Sequence, residues 1–594
     1  VTTDSNPSER RFSGIAVSPG IAIGPAHCLY DIPLPHVGDE TRAEGKLLSE
    51  LSAIENAVQL ASDELQEIYD QARDQLGEKE AQIFRTHLSI LHDQTLLQKV
   101  RRFVSDRGLT ALAALNAVAN EYEHLFALVQ DDYIRQRADD LRDVLRLLGK
   151  HLQKAEPRLG ENIQSPVILV AYELLPSDVM AINELDILGI VTQSGGRTSH
   201  AAILARSYGI PSVAGVAGIL DEVANGDLLI VDGRGGDVFV HPSPTAQADY
   251  QQRRLDYAQL RDQLIRKSHT PSKTADQVPL ELLANVSCVD DAREATREGA
   301  VGIGLYRTEF YFLTHPEMPS EDDQVAEYKR VIDVAPRGPF TIRTLDLGGD
   351  KTIPYLTAAH EPNPIMGRRS IRLSFQHPDF FLQQIRAVFR VAGTTNHAIR
   401  LMFPMVTTWE ELQSIHQYVD RARDELSRRG EAFGEVAIGA MIEVPAAAIM
   451  IDQFVEDVDF ISIGSNDLVQ YINAADRDNP QVNHLCQGLS PAVIRVLANV
   501  IGSCRAAGKD VTVCGEMAGS PRALPLLLGM GLRSFSMSTA FIPTIGELAR
   551  HISIADAEAI LADTMKLKTP TEIQTRLDQF VRDVCPDAVL WLLK

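Results

Sequence analysis

Apolar side chains along this chain follow two rhythms. Between about Asp39 and Lys154 they recur at Leu47, Leu51, Ile54, Val58, Ala61, Leu65 and Ile68. Alternating steps of four and three residues place these positions on one face of an α-helix. Similar patterns run through Ile83 to Val104, Ala111 to Tyr133 and Leu141 to Leu152, and the stretch is nearly free of Pro and Gly. Residues 36–154 are therefore expected to form several helices packed against one another.

Elsewhere the apolar residues come in short runs of strand length. The first stretch, GIAVSPGIAIGPAHCLY, is punctuated by Gly and Pro, which suits strands and not a helix. PVILVA, DILGIVTQ, DLLIVDG and DVFVH continue this style after the helical stretch. The pattern predicts an α/β domain over residues 1–35 and 155–242, with the helical stretch inserted. A polar helix is expected over Tyr250 to Lys267, and HTPSKTADQ reads as a flexible linker. Together they make residues 243–277 a linker helix and hinge. From Pro279 onward eight β-rich runs can be read: LELLANV, AVGIGLY, FTIRTLD, AIRLMFPM, VAIGAMIEV, FISIGSND, DVTVCGE and SFSMS. Helical segments separate most of them, so residues 278–594 are expected to close a parallel (β/α)8 barrel. The fold class is a multidomain α/β chain.

Composition narrows the functional classes. At 594 residues the chain exceeds one ordinary core. Charged residues are 23% and no apolar run is long enough to span a membrane, so no membrane insertion is expected. The polar Val1 to Arg11 lacks a secretory core, and the six cysteines form no CxxC pair. These features suggest a cytoplasmic protein without disulfides. The net charge of −23 argues against nucleic acid as a partner.

In a (β/α)8 barrel, chemistry sits where strands end and loops begin. Those positions carry Arg307, Glu309, Arg343, Asp346, Glu443, Asn466, Asp467, Cys514 and Glu516, with Arg369 and Arg477 in nearby loops. Arginines can clamp phosphate and carboxylate through paired hydrogen bonds. Glu443 and Asp467 can hold Mg2+ through oxygen while leaving positions for substrate and water. The set reads as a site for a small phosphorylated acid. Glu309, Asp346 and Glu516 read equally well as structural partners of the arginines. Cys514 can be buried packing or a proton donor.

A second signal lies in GGRTSHAAILARSYGIPSVAG, Gly195 to Gly215. The glycines permit a tight turn, and Thr198 or Ser199 can cap a helix starting near His200. A phosphate on the His200 ring would then meet free backbone N–H groups and the positive end of the helix dipole. Arg197 and the two hydroxyls could add hydrogen bonds.

These motifs, with GIGLYRTEF, RTLDLGGDK, IEVPAA, IGSNDLVQY and CGEMAG, resemble Enzyme I of the bacterial phosphotransferase system over nearly the whole chain. The resemblance implies a phosphohistidine domain with an inserted carrier-binding helical subdomain, then a barrel that binds phosphoenolpyruvate (PEP) and homodimerises. It implies His200 as the phosphorylated nucleophile and Cys514 as the proton donor. Arg307, Arg343, Arg369, Asn466, Asp467 and Arg477 become substrate ligands, and Glu443 and Asp467 the Mg2+ ligands. The acceptor is expected to be the carrier protein HPr of sugar transport or a nitrogen-branch homologue. Departures from the family pattern are Arg368 beside Arg369 and Ser287 where many members carry glycine. Two other readings are a relative of pyruvate phosphate dikinase, which would need an ATP-grasp domain, and a scaffold that has lost catalysis.

Overall fold

The structure is a computed structural model that describes residues 9–18, 20–29, 46–76, 78–127, 132–153, 166–172, 174, 187–195, 205, 210–313, 318–348, 363–477 and 482–586. The chain divides into two compact units between Ala258 and Gln259.

In the first unit, β1 (Arg10–Ser13), β2 (Ile15–Ser18) and β3 (Ile21–Leu29) precede five helices. These are α1 (Leu47–Leu76), α2 (Glu78–Leu91), α3 (Gln94–Asp106), α4 (Ala111–Ala127) and α5 (Asp132–Gln153). Strands β4 (Val167–Ala171), β5 (Ile187–Thr192), β6 (Ser212–Ala214), β7 (Leu228–Asp232) and β8 (Asp237–Val240) follow. All eight strands form one sheet in the order β1-β8-β7-β3-β4-β5-β6-β2. β3 joins its halves, pairing parallel with β4 and antiparallel with β7. Every residue of β4 is buried, as a strand covered on both faces requires.

The helices use the face that the periodicity marked. Ile54, Ala61 and Leu65 are buried, and Leu47, Leu51, Val58 and Ile68 pack at the edge of the same core. Leu48 and Leu60, off that face, are exposed. Helix α3 starts where the Asp93 carboxylate accepts from the Thr95 and Leu96 N–H groups at 2.6 and 3.3 Å.

Helix α6 (Pro244–Ser268) carries the chain into the second unit. The HTPSKTADQ segment beyond it differs from the free linker expected. Thr274 is buried, the Ala275 N–H donates to Ile552 O at 3.0 Å, and the Asp276 carboxylate accepts from Ile554 N–H at 3.1 Å. Short polar side chains that look like linker in sequence here satisfy barrel backbone groups.

The second unit is the expected barrel. Its strands are β9 (Glu281–Val286), β10 (Ile303–Arg307), β11 (Phe340–Arg343), β12 (Ile399–Phe403), β13 (Ala437–Ile442), β14 (Phe460–Ile463), β15 (Asp510–Val513) and β16 (Ser534–Met537). Each pairs in parallel with the next, and β16 closes on β9. Alternation along the strands splits the side chains between two cores. Tyr306, Leu401, Ile442 and Ile461 join the large core between strands and helices, while Leu305, Met402, Met441, Phe460 and Cys514 form a smaller one. Of the surrounding helices, α7 (Glu321–Val334), α8 (Pro378–Ala392), α9 (Trp409–Arg429) and α10 (Ser465–Asn473) matter below.

Candidate active site

Strands β10 and β11 end on Arg307 and Arg343, which lie opposite each other in register. Like charges side by side on adjacent strands repel. The arrangement makes sense where both cations face a common anion. Arg343 is buried, and its guanidinium is held by Glu309 and, at 3.1 Å, by Asp346. Burial opposes its charge, but Glu309, Asp346 and Glu443 outweigh that and raise its pKa. Among the described residues, Arg343 Nε and Glu309 Oε2 have no hydrogen-bond partner although both are buried. Unsatisfied buried polar atoms of this kind are costly and rare, even within an ion pair.

Arg369 extends the cluster. Its Nε and Nη2 donate to Asp346 at 3.1 and 3.2 Å. Its Nη1 and Nη2 donate to the two oxygens of Asp467 at 3.0 and 3.2 Å. The backbone is shaped for this. Gly348 has φ of 111°, and a side chain there would come within 2.7 Å of the Arg369 Cα. Ser370 and Met405 adopt φ of 58° and 57°, left-handed conformations that cost energy for residues with side chains. Such strain gathers at functional loops.

Glu443, just beyond β13, is 1% exposed, and its Oε1 accepts from the Met405 N–H at 2.7 Å. Burial first, then Asp467 and Asp346, push its carboxyl up to about 8, against the opposing pull of Arg343 and Arg369. A side chain at residue 464 would come within 2.6 Å of its other oxygen, so Gly464 makes the room. Asp467 sits in the first turn of α10, where the helix dipole favours its charge. The local donor set is all oxygen, and ionising Glu443 there would bring more negative charge than the arginines offset, which suits a hard divalent cation such as Mg2+. Among the described residues no group of three His, Cys, Asp or Glu could hold an ion. Glu443 and Asp467 would thus be two protein ligands that leave positions for other oxygens.

Cys514, after β15, is 3% exposed and its thiol lies 3.5 Å from Ile463 O. Burial pushes its pKa up, so it carries its proton at neutral pH. Asn285 donates to the Cys514 carbonyl at 2.9 Å, and Asn466 accepts from the Glu516 N–H at 2.9 Å. Arg477 is at the exposed rim, its N–H on the Gln470 side chain at 3.3 Å. Arg343, Asp346, Arg369, Glu443 and Asp467 thus form one cluster. Glu309 and Asp346 pair with arginines, while Glu516 meets Asn466 through its backbone. Arg197, Thr198, Ser199 and His200 lie outside the described residues; Gly195 before them has φ of 92°, consistent with a tight turn. Sequence reading missed Met405, Gly464, Thr308 and Gln384, which touch the cluster or its backbone. Only Gly464, at a strand end, carried a signal.

Comparison with known proteins decides the family. Profiles of PEP-utilising enzymes match three segments: the N-terminal domain at residues 13–137, the mobile domain at 163–236 and the PEP-binding domain at 261–554. A phosphoenolpyruvate–protein phosphotransferase of Bacillus sp. (strain S) is 39% identical over 573 residues, 95% of this chain and 97% of the relative. That of Geobacillus stearothermophilus is also 39% identical, with the same coverage. That of Bacillus subtilis (strain 168) is 36% identical over 566 residues, 95% of this chain and 98% of the relative.

The chain belongs to the phosphoenolpyruvate–protein phosphotransferases. An enzyme of this family needs a place for a small trianionic acid, and the barrel mouth offers paired guanidiniums beside an electron-rich carboxylate set. No helix among the described residues is long and apolar enough to cross a membrane.

Proposed function

We propose that this chain takes the phosphoryl group of PEP onto His200, releases pyruvate, and hands the group to a histidine of HPr or a nitrogen-branch homologue. The reading is supported chiefly by one observation: a guanidinium clamp and a buried carboxylate pair, poor in positive charge, share one barrel mouth. Arg307 and Arg343 bind the phosphate, and Arg369, Asn466 and Arg477 complete the grip on PEP. Glu443 and Asp467 hold Mg2+, which neutralises phosphoryl charge when bound. Asp467 also borders the substrate.

The His200 imidazole attacks phosphorus. An N–P bond forms, the bond from phosphorus to the enol oxygen breaks, and the electron pair stays on that oxygen. The enolate then takes a proton at its methylene carbon from Cys514, giving pyruvate. The thiolate left behind regains a proton from water. A carrier histidine attacks the same phosphorus and frees His200. We assign carrier docking to the helical subdomain, homodimerisation to the barrel, and the cytoplasm as the compartment, with sugar transport or nitrogen regulation as the process served according to the carrier.

Transfer of this kind needs the His200 segment to visit both PEP and carrier, and residues 243–277 are the hinge we assign. Because residues 269–277 are pinned to the barrel, we assign the moving part to α6. A crosslink that stiffens α6 is expected to slow both half-reactions; normal rates for both would exclude the swing. The function itself is tested by pyruvate release from PEP with Mg2+ and a large molar excess of sugar-type or nitrogen-type carrier over enzyme. Release that matches the amount of one carrier phosphorylated is expected, and none beyond the enzyme's own equivalent with either carrier contradicts the proposal.

A further inference from the structure

Helix α8 carries a glutamine, Gln384, that is 0% exposed. Its side-chain carbonyl accepts from the Leu345 N–H at 3.0 Å. Its amide nitrogen donates to Thr308 Oγ1 at 3.2 Å and to Tyr328 OH at 3.3 Å. Thr308 in turn donates to Arg343 O at 2.8 Å, and Tyr328 donates to Gln324 Oε1 at 3.3 Å. Thr308, Tyr328 and Gln324 are also fully buried. Both amide hydrogens of Gln384 are therefore committed, and each hydroxyl in the chain both gives and receives.

The place of this network is informative. Pairing of β10 with β11 ends at Arg307 and Arg343. Beyond that point the two backbones have no further ladder between them, yet they must hold Arg307, Glu309, Arg343 and Asp346 in one geometry. Thr308 sits between Arg307 and Glu309, and Leu345 immediately precedes Asp346. From outside the barrel Gln384 reaches the backbone N–H of Leu345 directly and Thr308 through its side-chain hydroxyl. It ties them where strand pairing stops and two like-charged arginines push apart.

We infer that Gln384 is a positioning residue for PEP binding: through Thr308 and Leu345 it sets the spacing of the Arg307–Arg343 phosphate clamp. This rests on the barrel mouth being the PEP site. A buried amide could serve folding alone, so the test must separate binding from stability. A Gln384→Met variant keeps length and bulk but loses all three hydrogen bonds. Its KM for PEP is expected to rise about tenfold with kcat changed less than about threefold, the pattern of lost binding geometry. Val388→Ala, one turn along α8 and also fully buried, supplies a variant with lowered Tm but an intact network. It is expected to leave the KM for PEP unchanged. Thr308→Val, which removes only the hydroxyl, is expected to raise KM about threefold and serves if the methionine variant does not fold.

An unchanged KM in Gln384→Met (or in Thr308→Val if the methionine variant does not fold), or an equal rise in Val388→Ala at matched loss of Tm, overturns the inference. Arg343→Met measured in parallel distinguishes the levels. If it raises KM and the network variants do not, only the role of Gln384 fails. If Arg343→Met also leaves both KM and kcat unchanged, the site itself is misplaced.

Discussion

The barrel carries two arginine–carboxylate networks built from the same residue types, with opposite electrostatics. On its outside, Arg386, Arg390, Arg421 and Arg429 face Glu321, Asp322, Glu425 and Glu431 across α7, α8, α9 and their ends. The charges balance, and water reaches several of them. Burial is the largest single influence on Glu425 and raises its pKa, but Arg421 and Arg386 together prevail and its carboxyl lies below the usual range. At the mouth, Arg343 and Arg369 face Glu309, Asp346, Glu443 and Asp467. Here burial and neighbouring carboxylates push Glu443 up. The outer network is complete as it stands. The inner one lacks positive charge on its carboxylate side and holds like-charged arginines on the other, which is the condition of a site built for a cation and an anion.

Exchanging one arginine in each network should break the symmetry of the pair most strongly. Arg343→Met is expected to lower kcat/KM for PEP by about a thousandfold, the upper end for losing one oriented donor at a reacting group. Arg386→Met should leave it within about twofold and lower only the Tm. Equal losses of activity in both would mean that the two networks do not differ in role.

The carboxylates supply the next test, read as Tm against pH without metal. Glu443 has a folded-state pKa above its unfolded value, so its contribution is full below about pH 4.5 and is lost as pH rises toward about 8. Its share of the slope is at most about 1.4 kcal/mol per pH unit, and Glu443→Gln should remove it. Glu425 has the opposite sign: its contribution is present above about pH 4.5 and lost as pH falls through its lowered pKa. Glu425→Gln should therefore flatten only the acid side.

A finer contrast concerns Arg369, whose guanidinium covers both oxygens of Asp467. Arg369→Gln should weaken PEP binding yet tighten Mn2+ binding in the absence of PEP about fivefold, the equivalent of ~1 kcal/mol for one competing ion pair. Titration followed by Mn2+ electron paramagnetic resonance would read it. Weaker Mn2+ binding would mean that Arg369 supports the cation site and does not compete for it.

The smallest effect is expected in a third cluster, inside the helical subdomain. His87 is fully buried between Asp140 and Asp143, at 3.2 and 3.3 Å. Burial opposes its charge, but the two aspartates raise its pKa. Its contribution is full below about pH 6.5 and fades as pH rises through the folded value. His87→Gln should flatten that part of the subdomain's melting profile and leave PEP turnover unchanged.

Much of this was legible beforehand, for physical reasons. Strands alternating with helices leave a strong rhythm, so all eight barrel runs could be read, and strand ends then pointed to Arg343, Glu443 and Asp467. The Leu47 to Ile68 face was readable because helical burial repeats every three to four residues. Gln384 was not legible, since a polar residue on a helix gives no sign of facing inward until α8 packs on β10 and β11. The pairing of Arg369 with Asp467 was equally hidden, because 98 residues separate them and only barrel closure brings them together. HTPSKTADQ misled because side chains that solvate a loop also cap a neighbouring backbone.

The most direct measurement is phosphate mapping. The purified protein is incubated with labelled PEP and Mg2+ and digested under alkaline conditions that preserve phosphohistidine. The label is expected on the peptide containing His200, and none should be incorporated by the His200→Ala protein. Label at another residue, or undiminished incorporation after that substitution, would contradict the account.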